Sequence, residues 1–202
     1  MTDSNQINSR IENVTGVILV GGKSSRFGSN KALAEMDGIR LIDRATRTMG
    51  RIFSNIVLSS NTPEEYLYLN LPIYEDLIKD LGPIGGIYTA LKSITDNTAF
   101  FVACDMPFLN EKLIRHMIEA SADYDVVVPR MDWKIEALHS LYTKNCIPVI
   151  EKSISSNDYK TMNIFKKVNT RYIDEEELKI FDPDLQSFIN VNRPQELRDL
   201  GI

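Results

Sequence analysis

VTGVILVGGKSSRFGSNKAL, residues 14–33, is the stretch whose reading decides the fold. Its opening run, residues 14–20, is apolar, continuous and rich in β-branched side chains, as expected for a strand buried on both faces. The run ends at Gly21-Gly22, where the backbone can turn sharply and approach a ligand closely. Three cations follow in short order, Lys23, Arg26 and Lys31, with the hydroxyls of Ser24 and Ser25 between them. Backbone N–H groups, hydroxyl donors and positive charge in one loop suit a triphosphate.

Working outward, short apolar runs alternate with longer amphipathic ones. Strands are expected at residues 55–60, 72–76, 98–104, 125–129, 137–142, 167–174 and 188–192. Helices are expected at 41–51, at 64–69 behind Pro63, from Pro83 to Ile94, after a cap at Asn110, at 145–155, and behind Pro194. The run Glu175-Glu176-Glu177 reads as a solvated helix start, favoured by the helix dipole. Alternating strands and helices give an α/β fold: a three-layer, doubly wound and mostly parallel sheet.

The 202 residues suffice for one ordinary domain, expected over 14–202, with residues 1–13 as a polar N-terminal extension. Hydrophobic residues at 43% and charged residues at 25% exclude wholesale disorder. The net charge of −5 argues against a nucleic-acid partner, because proteins that track phosphate backbones are usually basic. Two cysteines, Cys104 and Cys146, make neither a disulfide framework nor a cysteine zinc site, and read as reduced residues. No run approaches the ~20 apolar residues of a membrane helix, and the polar N-terminus is no secretory signal, so a cytoplasmic protein without a membrane partner is expected.

Two familiar phosphate loops fail on spacing. A P-loop ending at Gly22-Lys23-Ser24 would need glycine where Val17 stands, and the dinucleotide pattern G-x-G-x-x-G finds no glycine at its required steps. The loop nonetheless follows the first strand, at the edge where open α/β sheets bind ligands.

Three further constellations carry chemistry. Asp76 closes a strand and is followed by Gly82-Pro83-Ile84-Gly85-Gly86 at a helix start, where the glycines serve either close packing or approach by a ligand. Asp105, between the apolar run ending at Cys104 and the Met106-Pro107 turn, either binds a hard cation such as Mg²⁺ or caps its own turn. Asn190 and Asn192 share one face if the segment is extended, and either hold a polar ligand or form a turn and helix cap. Trp133 either stacks on a flat ligand or anchors its loop, and His116 and His139 lack metal-like spacing and read as structural or surface residues.

Taken together, LVGGKSSRFGSNK, the Asp76 and GPIGG pair, CDMPFL at 104–109 and NVNRP at 190–194 resemble the molybdenum cofactor guanylyltransferase family, MobA-like nucleotidyltransferases. The resemblance spans nearly the whole chain. It implies the nucleotidyltransferase version of the doubly wound fold and transfer of GMP from GTP to molybdopterin, forming the guanine dinucleotide cofactor and pyrophosphate. It implies backbone contacts to nucleotide from Leu19, Val20, Gly21 and Gly22, a triphosphate contact from Lys31, a nucleoside contact from Asp76 and a magnesium ligand at Asp105. Catalytic roles then fall to Lys31, Arg26 and Asp105, and further binding roles to Asn190 and Asn192. Some members carry an asparagine where Ser59 stands, and a histidine or glutamine ahead of Pro-Leu where this chain reads Ile135-Glu136-Ala137-Leu138. The implied partners are GTP, molybdopterin, and the molybdoenzymes or cofactor-delivery proteins that receive the product. The rival readings are a cytidylyltransferase on the same cofactor or on a sugar or alcohol phosphate, and a non-catalytic module binding nucleotide or pterin.

Overall fold

A computed structural model describes residues 9–21, 30–132 and 134–191. Gly22, Lys23, Ser24, Ser25, Arg26, Trp133, Asn192 and the helix expected behind Pro194 lie outside the described residues.

The central strand is β1 (Val14–Leu19), paired in parallel with β4 (Ile56–Ser59) on one side and β6 (Thr98–Ala103) on the other. The sheet extends past β4 to β5 (Ile73–Tyr74), and past β6 through the antiparallel β9 (His139–Thr143) to β7 (Val126–Met131) and β10 (Thr170–Asp174). β8 (Lys134–Ile135) adds a short antiparallel partner to β7. Because β9 runs against both its neighbours, β7 and β10 regain the direction of β1.

Alternation along the strands feeds two cores. Ile18, Phe100 and Val102 face α1 (Leu41–Ile52), α3 (Glu111–Glu119) and α6 (Glu175–Phe181). Val17, Ala99 and Phe101 face α2 (Pro83–Ser93), α4 (Ile147–Ser155) and α5 (Met162–Phe165). These are the three layers expected from the sequence, as a strand buried on both faces requires a helix on each. Gly16 permits the closest approach: a Cβ there would lie 2.7 Å from Phe53 Cδ2 and 3.1 Å from Met49 Cε, so α1 sits tight on β1. Among the described residues no helix is long and apolar enough to cross a membrane.

The structure departs from the expected elements in several places, β8 and α5 among them, neither of which was expected. The helix expected behind Pro63 is present over residues 63–69 in 3₁₀ form, closed by Asn70 in the left-handed region. Residues 188–191, the described part of the run expected as a strand, contribute none: Gln186–Phe188 is a 3₁₀ turn whose Gln186 and Ser187 N–H groups donate to the Asp182 carboxylate. A hairpin of β2 (Glu35–Met36) and β3 (Ile39–Arg40) turns at Asp37-Gly38, both at positive φ, the combination such tight turns favour. Ile11, within the polar extension, bridges to Phe53, its N–H donating to Ile52 O at 2.8 Å and its carbonyl accepting from Ser54 N at 2.9 Å. Those bonds satisfy the end of α1, which explains order ahead of residue 14.

Candidate active site

Parallel pairing delivers the site. In register, Ala103, Leu19, Ser59 and Tyr74 form one row across the sheet, and Asp105, Gly21, Asn61 and Asp76 each stand two residues beyond it. Four chain segments distant in sequence therefore leave the sheet at the same carboxyl edge. Val20 N–H donates to Ser59 O at 2.8 Å and Cys104 N–H to Leu19 O at 3.1 Å, so the ladder holds the strand end up to the glycine. Gly21 is exposed, and a Cβ there would meet nothing within 4 Å.

Lys31 returns to this edge through a 3₁₀ turn, Lys31–Leu33. Asn30 sets that turn. Its Oδ1 accepts from Ala32 N–H at 3.0 Å, while its Nδ2 donates to Glu65 Oε2 at 2.6 Å and Tyr66 Oη at 2.5 Å. Tyr66 is buried, which holds its phenol protonated by raising its pKa.

Lys31 Nζ donates to Asp105 Oδ2 at 2.6 Å, and both side chains are largely withdrawn from water, at 15% and 18% exposure. Asp105 Oδ1 is buried and accepts no hydrogen bond among the described residues. A buried carboxylate oxygen without a donor is costly unless a cation or water completes it. Magnesium typically takes one or two carboxylates and fills its sphere with phosphate oxygens and water, so a single half-committed aspartate fits that ion. Among the described residues no group of three or more His, Cys, Asp or Glu side chains converges, so a cage built from protein ligands alone is not what these residues form. Cys104, beside Asp105, is no competing nucleophile: burial, with the neighbouring carboxylate charge, pushes its thiol up to about 12.

Asn190 reaches the same edge by a route the expected strand did not anticipate. Val191 N–H donates to Asp105 O at 3.0 Å, and the fully buried Val191 side chain packs with Met36 and Leu41. One hydrogen bond and one apolar anchor, rather than a ladder, bring the 190–191 segment beside Asp105.

Asp76 lies just beyond β5, and its carboxylate hangs over the start of α2: Cβ atoms on Gly85 and Gly86 would sit 3.7 Å and 3.8 Å from its two oxygens. A Gly86 Cβ would also come within 2.8 Å of Leu19 Cδ2. Of the two roles expected for this glycine pair, close packing is visible in these contacts. Asn61 bonds Asp76. It and Asn30 are the polar residues of this edge that the sequence reading passed over. Asn30 stands beside Lys31 in the quoted loop, whereas Asn61 has only its place two residues past a strand as a signal.

A mostly parallel α/β sheet with an exposed glycine, a lysine and two aspartates at its carboxyl edge is the architecture of nucleotidyltransferases. The chain belongs to the MobA-like NTP transferase family, whose domain matches residues 16–172. A molybdenum cofactor guanylyltransferase of Desulfosudis oleivorans is 39% identical, with 91% of this chain and 92% of that protein aligned. The crystal structure of molybdopterin-guanine dinucleotide biosynthesis protein A from Archaeoglobus fulgidus is similar with a TM-score of 0.80 at 26% identity, covering 92% of this chain and 96% of that one. A 4-diphosphocytidyl-2C-methyl-D-erythritol synthase from Anaerococcus prevotii shares the fold alone, with a TM-score of 0.69 at 13% identity over 97% of each chain.

Proposed function

We propose that this chain transfers GMP from GTP to molybdopterin, releasing pyrophosphate and forming the guanine dinucleotide cofactor. The observation that carries the reading is the Lys31–Asp105 pair at the carboxyl edge, level with Gly21 and Asp76. Family membership and the guanylyltransferase relative supply the choice of base and acceptor.

The residues divide the work as follows. Backbone groups of Leu19, Val20, Gly21 and Gly22 line the nucleotide, and Asp76 accepts hydrogen bonds from its nucleoside portion. Without nucleotide, the Lys31 ammonium neutralises Asp105. Once a triphosphate is bound, Lys31 and Arg26 face its oxygens and offset the charge that grows on the departing pyrophosphate. Asp105 would hold a magnesium ion, which would neutralise phosphate charge and order the triphosphate when bound. Asn190 and Asn192 hold polar groups of the ligands beside Asp105. A phosphate-monoester oxygen of the acceptor forms the new bond to the α-phosphorus as the bond to the bridging oxygen breaks, in line with the leaving pyrophosphate. The monoester is already ionised near neutral pH, so positioning rather than a strong general base drives the step.

The test is pyrophosphate release with each of four nucleoside triphosphates, with and without molybdopterin. Release that needs both GTP and molybdopterin is the expected result. Preference for CTP would move the assignment to the cytidylyl reading, and binding without release would make the chain a carrier.

A further inference from the structure

Asn61 is exposed, just past β4, yet its amide is bonded twice to one residue. Its Nδ2 donates to Asp76 Oδ2 at 2.8 Å, and its Oδ1 accepts from Asp76 N–H at 3.1 Å. The reciprocal pair fixes the amide's orientation, since a carboxylate only accepts and an N–H only donates. The next peptide is tied separately: Leu77 N–H donates to Oγ1 of the buried Thr89 at 2.9 Å. Between these two ties the Asp76 carboxylate is held above Gly85 and Gly86. One of its oxygens is engaged by Asn61, and among the described residues no side chain or backbone donor reaches Oδ1.

An exposed pair of this kind adds little to stability, because ordering two side chains in water offsets most of what the hydrogen bonds contribute. It does restrict where Oδ1 can be. We propose that Asn61 is a positioning residue that orients Asp76, so that the unengaged oxygen meets hydrogen-bond donors on the nucleoside portion of the bound nucleotide. The inference rests on the nucleoside role given to Asp76 under Proposed function. Substituting Asn61 frees the carboxylate to turn into solvent, and each binding event must then order it again.

The experiment compares Asn61→Ala, Asp76→Ala and the double variant with the parent. GTP affinity is measured by calorimetry, kcat and KM by pyrophosphate release, and Tm by thermal melting. Asn61→Ala should weaken GTP binding roughly ten-fold, the scale of one lost hydrogen-bond constraint, raising KM by more than kcat falls, with Tm unchanged. In the Asp76→Ala background the same substitution should have no further effect, because nothing remains to position. Parent-like affinity in Asn61→Ala overturns the proposal, as does an equal loss with and without Asp76, or a fall in Tm that accounts for the lost affinity. If the parent itself binds none of the four triphosphates, the proposed function fails first. If it binds GTP and Asn61→Ala binds it equally well, only this inference fails.

Discussion

His139→Leu should remove a specific acid sensitivity from this protein. His139 opens β9 with its ring fully buried, edge-on to Phe100 and Phe188 at centroid distances of 5.4 and 5.2 Å. Neither ring nitrogen has a hydrogen-bond partner among the described residues. Burial lowers its pKa from the ordinary 6.5 to about 4, and the nearby Asp182 charge pulls the other way without prevailing. The folded state thus holds a neutral imidazole that the unfolded chain would protonate, and stability is lost as pH falls from above 6.5 toward 4. At pH 5 nearly every unfolded imidazole is charged but only about a tenth of the folded ones, a differential of about 2 kcal/mol. With a urea m-value of about 2 kcal/mol/M, that moves the parent's midpoint down by about 1 M between pH 7 and pH 5. The carboxylates of Asp158, Asp174 and Glu175 are held below their ordinary values by hydrogen bonds from Asn163, Arg130 and Lys179. Their contribution is lost only at lower pH and is common to both proteins. Leucine keeps the volume roughly constant and removes the two unpartnered nitrogens, so the variant should be at least as stable at pH 7 and should lack the His139 share of the decline. Urea unfolding of parent and variant at both pH values measures this. The same pH 7-to-5 decline in both proteins would refute the reasoning.

Lys31→Ala should lower kcat by about 10²-fold or more, the scale for losing one preorganised charge stabiliser, whereas an unchanged kcat with a raised KM for GTP would mark uniform binding instead. Asp105→Asn should still fold, since the turn bond from Met106 N–H to Ala103 O at 3.3 Å involves no side chain, while pyrophosphate release falls and needs more added magnesium. Identical magnesium titrations would reduce Asp105 to a turn residue. Gly16→Ala should cost about 1–3 kcal/mol by overpacking, because the new Cβ would press on Phe53 and Met49. Its specific activity, per folded molecule at room temperature, should match the parent's, and a variant as stable as the parent would show that α1 moves away freely.

The strands that build the site were legible because local chemistry and burial agree. β1 and β6 are continuous apolar runs, and each stops where glycine or proline ends the pairing, so the sequence itself places Gly21 and Asp105 at one edge. Asn110 was legible as a cap for the same local reason: its Oδ1 accepts from Lys112 and Leu113 N–H. The Asp37-Gly38 hairpin is legible too, since Asp-Gly is a residue pair that tight hairpin turns favour. The run 188–192 suits a strand by its alternating side chains, whereas the turn that leads into residues 188–191 is set by Leu185 at positive φ and by the Asp182 carboxylate. The Asn61–Asp76 bond was out of reach of sequence: it depends on β4 and β5 pairing in parallel, and no periodicity encodes that register.

The most direct test offers the protein all four nucleoside triphosphates at equal concentration together with molybdopterin and magnesium, and identifies the pterin product by mass spectrometry. The account predicts the guanine dinucleotide form, with pyrophosphate released in equal amount. A cytosine or adenine dinucleotide, or molybdopterin recovered unchanged, would contradict it.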